Sequence, residues 1–447
     1  MLMVIQHGTH DADMPDYTHM IKAALAGRLG PMPQRLARLL RARKPEQSSA
    51  PHTSTTQPPV MATDHLLDIP VYATGPDLAL QDATIMQGQF LARQERWDEL
   101  AACIRNADSA RAQAGDTMPL ADLLTFGARA DVVNAVEHAL SEHGRKTRHA
   151  DTLDGISALE DVFAEHPDDY AIALIVALTH IDLGWAWRGM QSEKDLPDTH
   201  RAAFFHHFDR AGDILQNFCA LTHDSPALAA ASCARLAGEI DASDCVADLY
   251  EDLIDLDPRN FRNMRALGNH LLPRWFGDLD RLELEARRTA IRTRDIWGEA
   301  GYTWVYFDAL IHDEAACANV DVEFFVDGLR DILDRRPDQG MANLLAAYCS
   351  IAVGQQDHAK DSPAERNRRR IAACADWIVH EHLSEVHPLV WSHAMDGFAN
   401  NAPVRSVSRF AARGEAKALS VLRDLFADEI ARGHRVIFTE RGPVIEV

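Results

Sequence analysis

Histidine and carboxylate side chains could act here as acids, bases or metal ligands. The chain has 22 histidines and 67 aspartates and glutamates. The densest groups are His206-His207, followed by Asp209, and a second run from His380 to His393. A helical zinc pair needs two ligands four residues apart, so that both nitrogens reach one ion, and neither group contains such a pair of histidines. We therefore expect no metal site. A helical hydrolase that uses His206, His207 and neighbouring carboxylates, with or without a metal, is the alternative function.

The most unusual local sequence is LLPRWFGDL at residues 271–279, where a helical pattern is interrupted by a proline. Arginine and tryptophan are enriched where binding energy concentrates, because a guanidinium pairs with carboxylates and stacks on rings. This makes Arg274, Trp275 and Asp278 candidate partner-binding residues. Alternatively, Trp275 and Phe276 fill the gap between two helices while Arg274 pairs with Asp278.

Two further aromatic clusters, GWAWRG at 184–189 and WGEAGYTWVYF at 297–307, extend this set of candidates. They add Trp185, Arg188 and Trp304, so that five of the eight tryptophans fall in the three clusters. A shared aromatic surface for a partner is one interpretation. Core packing is the other, because large aromatic side chains mostly fill cores.

Sequence motifs of known enzyme classes are missing. The chain contains no G-x-x-x-x-G-K-[ST], no G-x-S-x-G and no glycine-rich loop between a strand and a helix, which leaves nucleotide and acyl-transfer templates unsupported. A cysteine–histidine pair stays open, because such partners meet in space rather than in sequence. We expect neither a catalytic residue set nor a cofactor.

Composition and charge restrict the partners and the compartment. A net charge of −22 argues against nucleic acid as the main ligand, because phosphate backbones need a positive footprint. Seven cysteines without a C-x-x-C are typical of buried thiols in a reducing compartment. No secretory signal is visible, and the most apolar window, residues 171–187, is too short and polar to span a membrane. We expect a cytoplasmic protein without a membrane interaction.

The chain divides into four segments by composition. Residues 1–44 form a basic N-terminal arm, and residues 45–60, rich in proline, serine and threonine, read as a disordered linker. Apolar residues then recur every three or four positions up to residue 433, which predicts a helical-repeat domain over 61–433. Residues 434–447 predict a small terminal β-hairpin with a turn at Gly442-Pro443.

Local signals mark two helix starts and a basic run. Ser225 before Pro226, and Ser362 before Pro363, are N-caps with proline in the first turn. The run RNRRR at 366–370 follows the second cap and opposes the helix dipole. Either an acidic partner or the chain's own carboxylates would compensate these arginines.

Three segments resemble one another, at residues 162–173, 253–264 and 333–344. Each has an apolar helix end, a proline, a polar turn and a new helix, and Leu267-Gly268 follows in the second segment. In these features the chain resembles the tetratricopeptide-repeat-like helical solenoids, with degenerate repeats that lack the family's tryptophan. The resemblance implies stacked helices whose surface holds a protein or peptide partner.

The sequence thus predicts an all-α protein, a TPR-like α-α superhelix with a small C-terminal hairpin. We expect a non-enzymatic protein- or peptide-binding scaffold or adaptor.

Overall fold

The computed structural model describes residues 60–61, 66–72, 76–115, 118–144, 147–189, 194–239, 242–356, 358–398 and 406–447. The chain is predominantly helical, at 73%, with a small C-terminal sheet, which confirms the helical class and the terminal strands. The basic arm at 1–44 and most of the predicted linker lie outside the described residues.

The helices of the first half lead to residue 235. They are α1 (Pro76–Arg93), α2 (Trp97–Ser109), α3 (Leu120–His143), α4 (Asp154–Glu165), α5 (Tyr170–Arg188), α6 (Asp198–Leu215), α7 (Ala220–His223) and α8 (Pro226–Arg235). A short 3₁₀ turn, His149–Thr152, lies between α3 and α4, and a second, Leu236–Gly238, follows α8.

The helices of the second half follow from residue 246. They are α9 (Val246–Leu256), α10 (Phe261–His270), α11 (Leu279–Arg292), α12 (Arg294–Trp297), α13 (Ala300–His312), α14 (Glu314–Asn319), α15 (Val322–Arg335), α16 (Gln339–Ala347), α17 (Pro363–Ala372), α18 (Cys374–His382), α19 (Pro388–Met395), α20 (Val407–Leu425) and α21 (Ala427–Ala431). A π-helical turn, Tyr348–Ala352, extends α16.

Short strands occur in more places than the sequence predicted. They are β1 (Val60–Met61), β2 (Leu67–Asp68), β3 (Pro70–Val71), β4 (Gln113–Ala114), β5 (Met118–Pro119), β6 (Arg435–Thr439) and β7 (Gly442–Glu446). The β6–β7 hairpin pairs Thr439 with Gly442, so its turn lies two residues earlier than predicted. β2 joins β6 in parallel, and the hairpin is therefore the edge of a three-stranded sheet rather than a separate unit.

The helix caps and helix boundaries predicted from the sequence are present in the structure. The Ser225 side chain accepts the N–H of Leu228, and the Ser362 side chain accepts the N–H of Glu365, at the starts of α8 and α17. α9 and α15 bury one apolar stripe each. At all three predicted helix–proline–helix segments one helix ends and another begins, giving the pairs α4 and α5, α9 and α10, and α15 and α16.

Two apolar cores organise these helices. One is built from α1 to α6 with part of α8, and the other from α8 onward with the strands β2 and β3. α5 and α13 are buried along almost their whole length and form the centres of the two cores. Among the described residues, α5 is the one helix long and apolar enough to cross a membrane, contrary to the sequence expectation for residues 171–187. Most of this helix, 78% of its apolar window, is buried inside the protein.

Candidate functional site

The segment 271–278, called here the Arg274 corner, connects α10 to α11 at the junction of the two cores. Trp275 packs against the first core and Phe276 against the second. The carboxylate of Asp278 accepts the N–H of Arg281 at 2.8 Å and caps α11. The two aromatic rings therefore do plug a gap between helices, which was the structural alternative in the sequence analysis.

The structural alternative also expected Arg274 to pair with Asp278, and this expectation is wrong. Its guanidinium donates to Oδ1 of Asn269, a neutral amide. Its Nε is buried without a hydrogen-bond partner, and no carboxylate in the described part of the chain lies within ion-pair distance of it. Burial lowers the pKa of Arg274, and the nearby charges of Asp313 and Asp308 oppose that shift. This partly buried cation therefore lacks a direct counter-ion.

The two carboxylates whose charges act on Arg274 already bind other groups. Asp308 accepts two hydrogen bonds from Arg265, at 2.7 and 3.1 Å, and this guanidinium lies 4.6 Å from the ring centre of Phe307. Asp313 caps α14 by accepting the N–H of Ala316. Because the two carboxylates serve other groups, the positive charge of Arg274 is the part of this corner that a ligand could neutralise.

Two buried side chains, His270 and Tyr250, lie next to the Arg274 corner. The Nδ1 atom of His270 lies 2.9 Å from the hydroxyl of Tyr250, and its ring contacts Trp275. Burial lowers the pKa of His270 to about 4, and that of His312 to about 4 as well. Both imidazoles are neutral at pH 7, so they do not add to the charge of Arg274.

The other predicted partner-binding residues are buried. Trp304 is fully buried and stacks on Phe261 at a ring-centre distance of 4.1 Å. Trp185 packs edge-on against Phe204, and Arg188 is only 6% exposed. Trp304 and Trp185 belong to the two cores, and none of the three residues forms an exposed surface with Arg274.

His206 and His207 point to different sides of α6, as neighbours on a helix must. His206 is exposed, whereas His207 is completely buried. Nε2 of His207 lies 3.0 Å from Nε2 of His149, and its Nδ1 lies 2.9 Å from Nδ1 of His180. Nε2 of His180 lies 3.3 Å from Oε1 of Glu160. We call these four residues the histidine chain.

Sequence reasoning named one member of this chain. The residues come from the 3₁₀ turn His149–Thr152 and from α4, α5 and α6, so no local spacing relates them. The Nε of Arg210 donates to the same oxygen of Glu160 at 2.6 Å. Hydrogen bonds from His180 and Arg210 lower the pKa of Glu160 to about 2.

The second histidine group does not converge. His380 is exposed and bonds to the carbonyl of Asp376, while His387 contacts Glu385 at 2.8 Å. In the part of the chain that the structure describes, no three histidines, cysteines or carboxylates are arranged to hold a metal ion.

The basic run at 366–370 is compensated within the chain. Arg368 and Arg369 both bind Glu365, and Arg370 binds Glu323. The chain's own carboxylates thus account for these three arginines.

Comparisons with known proteins return nothing for this chain: no family model, no curated protein and no solved structure matches it.

Proposed function

We propose that the protein is a non-enzymatic helical scaffold that holds a protein or peptide partner at the Arg274 corner. The partner's contribution is a carboxylate that pairs with the guanidinium of Arg274. One observation carries this proposal: Arg274 is partly buried, and its described side-chain hydrogen bond goes to the neutral amide of Asn269. An ion taken out of water is unfavourable unless it is paired.

The chemistry of arginine favours a carboxylate in this position. A guanidinium offers a planar fork of donors that matches the two oxygens of a carboxylate, and partial burial strengthens such a pair. The adjacent ring of Trp275 supplies apolar contact area of the kind found at binding hot spots.

The helix pairs α4 and α5, α9 and α10, and α15 and α16 support a repeat architecture for this scaffold. Each pair is joined by a short polar turn that contains a proline. If these pairs are degenerate tetratricopeptide-like units, the protein belongs to a class that mostly binds proteins and peptides. The Arg274 corner lies directly after the second pair.

The test compares the proteins retained by the wild type, by Arg274→Gln and by Arg294→Gln. Arg294 is a matched control, since it is exposed and pairs with Glu299 on the surface at 3.0 Å. Quantitative mass spectrometry of the retained proteins should show at least one stoichiometric partner with the wild type and with Arg294→Gln. Arg274→Gln should retain less than a tenth of it.

Peptides of the captured partner then identify the anchor. Replacing its acidic residues one at a time should find a carboxylate whose loss weakens binding to the wild type but not to Arg274→Gln. Equal capture by the wild type and a folded Arg274→Gln variant contradicts the proposal.

A further inference from the structure

α1 buries one side of the helix and exposes an apolar side opposite to it. Gly88 and Leu91 are buried, and a Cβ atom on Gly88 would come within 2.2 Å of the carbonyl oxygen of Leu124 on α3. Met86 and Phe90 lie about half a turn away from Gly88, since successive residues of a helix are rotated by about 100°. They are 67% and 54% exposed. The outer side of α1 is therefore apolar where a polar surface is expected.

The exposed apolar side chains of α1 form a continuous row. Ala79, Ala83, Met86 and Phe90 are all exposed, and their spacing of four, three and four residues places them on one side of the helix. We call these four residues the α1 stripe. Single exposed apolar residues need no explanation, whereas a row of them marks a contact surface.

The dimensions of the α1 stripe favour an occupant from the same chain. The stripe is about 17 Å long and about 10 Å wide, which is far below the roughly 800 Å² per partner of a standard interface. A second copy would also bring another net charge of −22 against the first. A tethered segment needs less contact area, because its effective concentration is on the order of millimolar.

The basic N-terminal arm, which lies outside the described residues, contains a sequence that suits the α1 stripe. Residues 34–44 read QRLARLLRARK, with five cations and no acidic residue. The spacing of Leu36, Leu39 and Leu40 predicts an amphipathic helix. Arg43 follows Leu36 by two helical turns and would continue the row of leucines with a positive charge.

The charges at the end of α1 complement this order of apolar and basic residues. Glu95 and Asp98 follow Phe90 at the turn into α2, and both are exposed. Among the described residues neither carboxylate is paired with an arginine, and the one contact of Asp98 is with His166 at 3.9 Å. The C-terminus of α1 adds a partial negative charge. A row of leucines that ends in cations therefore matches a row of apolar residues that ends in carboxylates.

The intervening chain is long enough for this contact. Val60 pairs with Val71 between β1 and β3, shortly before α1 begins at Pro76. Val60 therefore lies within about 50 Å of the end of α1, even if the chain from Val71 to Pro76 is fully extended. The chain from Lys44 to Val60 spans up to about 55 Å. The segment can thus reach the whole α1 stripe.

We propose that residues 34–44 bind to the α1 stripe of their own chain. The three leucines cover Met86 and Phe90, and the basic end of the segment lies beside Glu95 and Asp98. This contact is separate from partner binding at the Arg274 corner and does not depend on it.

Hydrogen exchange of the full chain, measured by mass spectrometry on peptides from residues 34–44, tests the contact. In the wild type these amides should exchange roughly tenfold more slowly than in a free peptide, as expected when the effective concentration exceeds the dissociation constant by that factor. Phe90→Asp should restore the rate of the free peptide. Ile291→Asp is the matched control, since Ile291 is 75% exposed on α11, and it should leave the slow exchange unchanged.

A variant of the segment itself keeps the test valid if Phe90→Asp fails to fold. Leu39→Asp combined with Leu40→Asp changes no described residue and should also restore the free-peptide rate. Free-peptide exchange in the wild type overturns the proposal. Slow exchange that persists in a folded Phe90→Asp variant overturns it as well.

Cross-linking distinguishes the segment's own chain from a second copy. A carbodiimide, which joins a lysine to a carboxylate in direct contact, should link Lys44 to Glu95 or Asp98. In an equal mixture of ¹⁵N-labelled and unlabelled protein, these links should join residues of the same isotopic composition. Links between labelled and unlabelled chains, or slow exchange that is lost on dilution, would show that a second copy occupies the stripe and would overturn the proposal.

Discussion

The carbonyl oxygen of Val305 lies so close to Gly268 that a Cβ atom on Gly268 would come within 1.7 Å of it. Gly268 is on α10 and Val305 on α13, so the two helices meet backbone to backbone. A side chain of any size at residue 268 would push them apart. The Arg274 corner follows α10 directly, and its position relative to Asp308 on α13 depends on this contact.

Gly268→Ala should therefore destabilise the fold. The obstacle is backbone, which cannot rotate away, and overpacking of this kind costs about 1–3 kcal/mol or more. The control is Gly155→Ala on α4, where the nearest atom is a side-chain carbon of Val132 at 3.2 Å. Urea unfolding should show a large loss for Gly268→Ala and a much smaller change for Gly155→Ala, where only a side chain has to shift. Equal stabilities for the two variants contradict the backbone contact.

Acid should destabilise the protein already between pH 6.5 and 5. Burial holds the pKa of His270 at about 4, below the value of about 6.5 in the unfolded chain. The unfolded state therefore binds a proton first as the pH falls, and stability is lost from about pH 6.5 down to the folded pKa. At pH 5 this amounts to about 2 kcal/mol for one such histidine.

The pH effect can be assigned to His270 by mutation. The free energy of unfolding of the wild type, measured at pH 7.5, 6 and 5, should fall steeply as the pH is lowered. In His270→Gln the fall should be smaller by roughly the free energy that one titrating histidine contributes. This variant should also be less stable at pH 7.5, because Tyr250 loses its partner. An unchanged slope would mean that His270 has the same pKa in the folded and the unfolded state.

The helix caps, which depend on neighbouring residues, were predictable from the sequence. The burial of the aromatic residues, which depends on contacts between distant segments, was not. Ser225 and Ser362 cap their helices because a hydroxyl three residues before a free N–H is a local relationship. The aromatic residues Trp185 and Trp304 lie on helices buried on all sides, and such helices show no apolar stripe that would distinguish core from surface.

The histidine chain illustrates the same limit. His206-His207 stands out as a pair in the sequence, yet only His207 belongs to the chain, since adjacent residues on a helix face different ways. Its partners lie 58 and 27 residues away, at His149 and His180. Nothing in the local pattern of either partner distinguishes it from the other histidines.

The cysteines are not all buried, contrary to the expectation from their spacing. Cys219 and Cys245 are exposed, and Cys103 is half-buried. A hydrogen bond from Thr222 lowers the pKa of the Cys219 thiol, whereas burial raises the pKa of the Cys233 thiol. Brief alkylation of the native protein, mapped by mass spectrometry, should label Cys219 first. Labelling of Cys233 before unfolding would contradict this order.

Asn269→Asp tests the proposed function from inside the protein. Oδ1 of Asn269 already accepts from Arg274, and aspartate has almost the same shape, so the variant places a carboxylate on the guanidinium without a new side-chain position. We expect the free energy of unfolding to rise by about 1 kcal/mol, because a charged pair replaces a neutral acceptor. Urea unfolding at pH 7.5 measures this change.

The same substitution should weaken binding of the partner, because the charge of Arg274 is then neutralised by a carboxylate of its own chain. Loss of one charge-assisted hydrogen bond is worth about 1.5–3 kcal/mol, or roughly a tenfold to hundredfold rise in Kd. Arg274→Gln should lose binding while losing no internal ion pair, whereas Asn269→Asp should lose binding while gaining one. The same loss of affinity in both variants, with a gain of stability only in Asn269→Asp, would separate recognition of a carboxylate from a general effect on folding. A stabilised Asn269→Asp variant that still binds its partner at wild-type affinity would show that Arg274 is not the anchor.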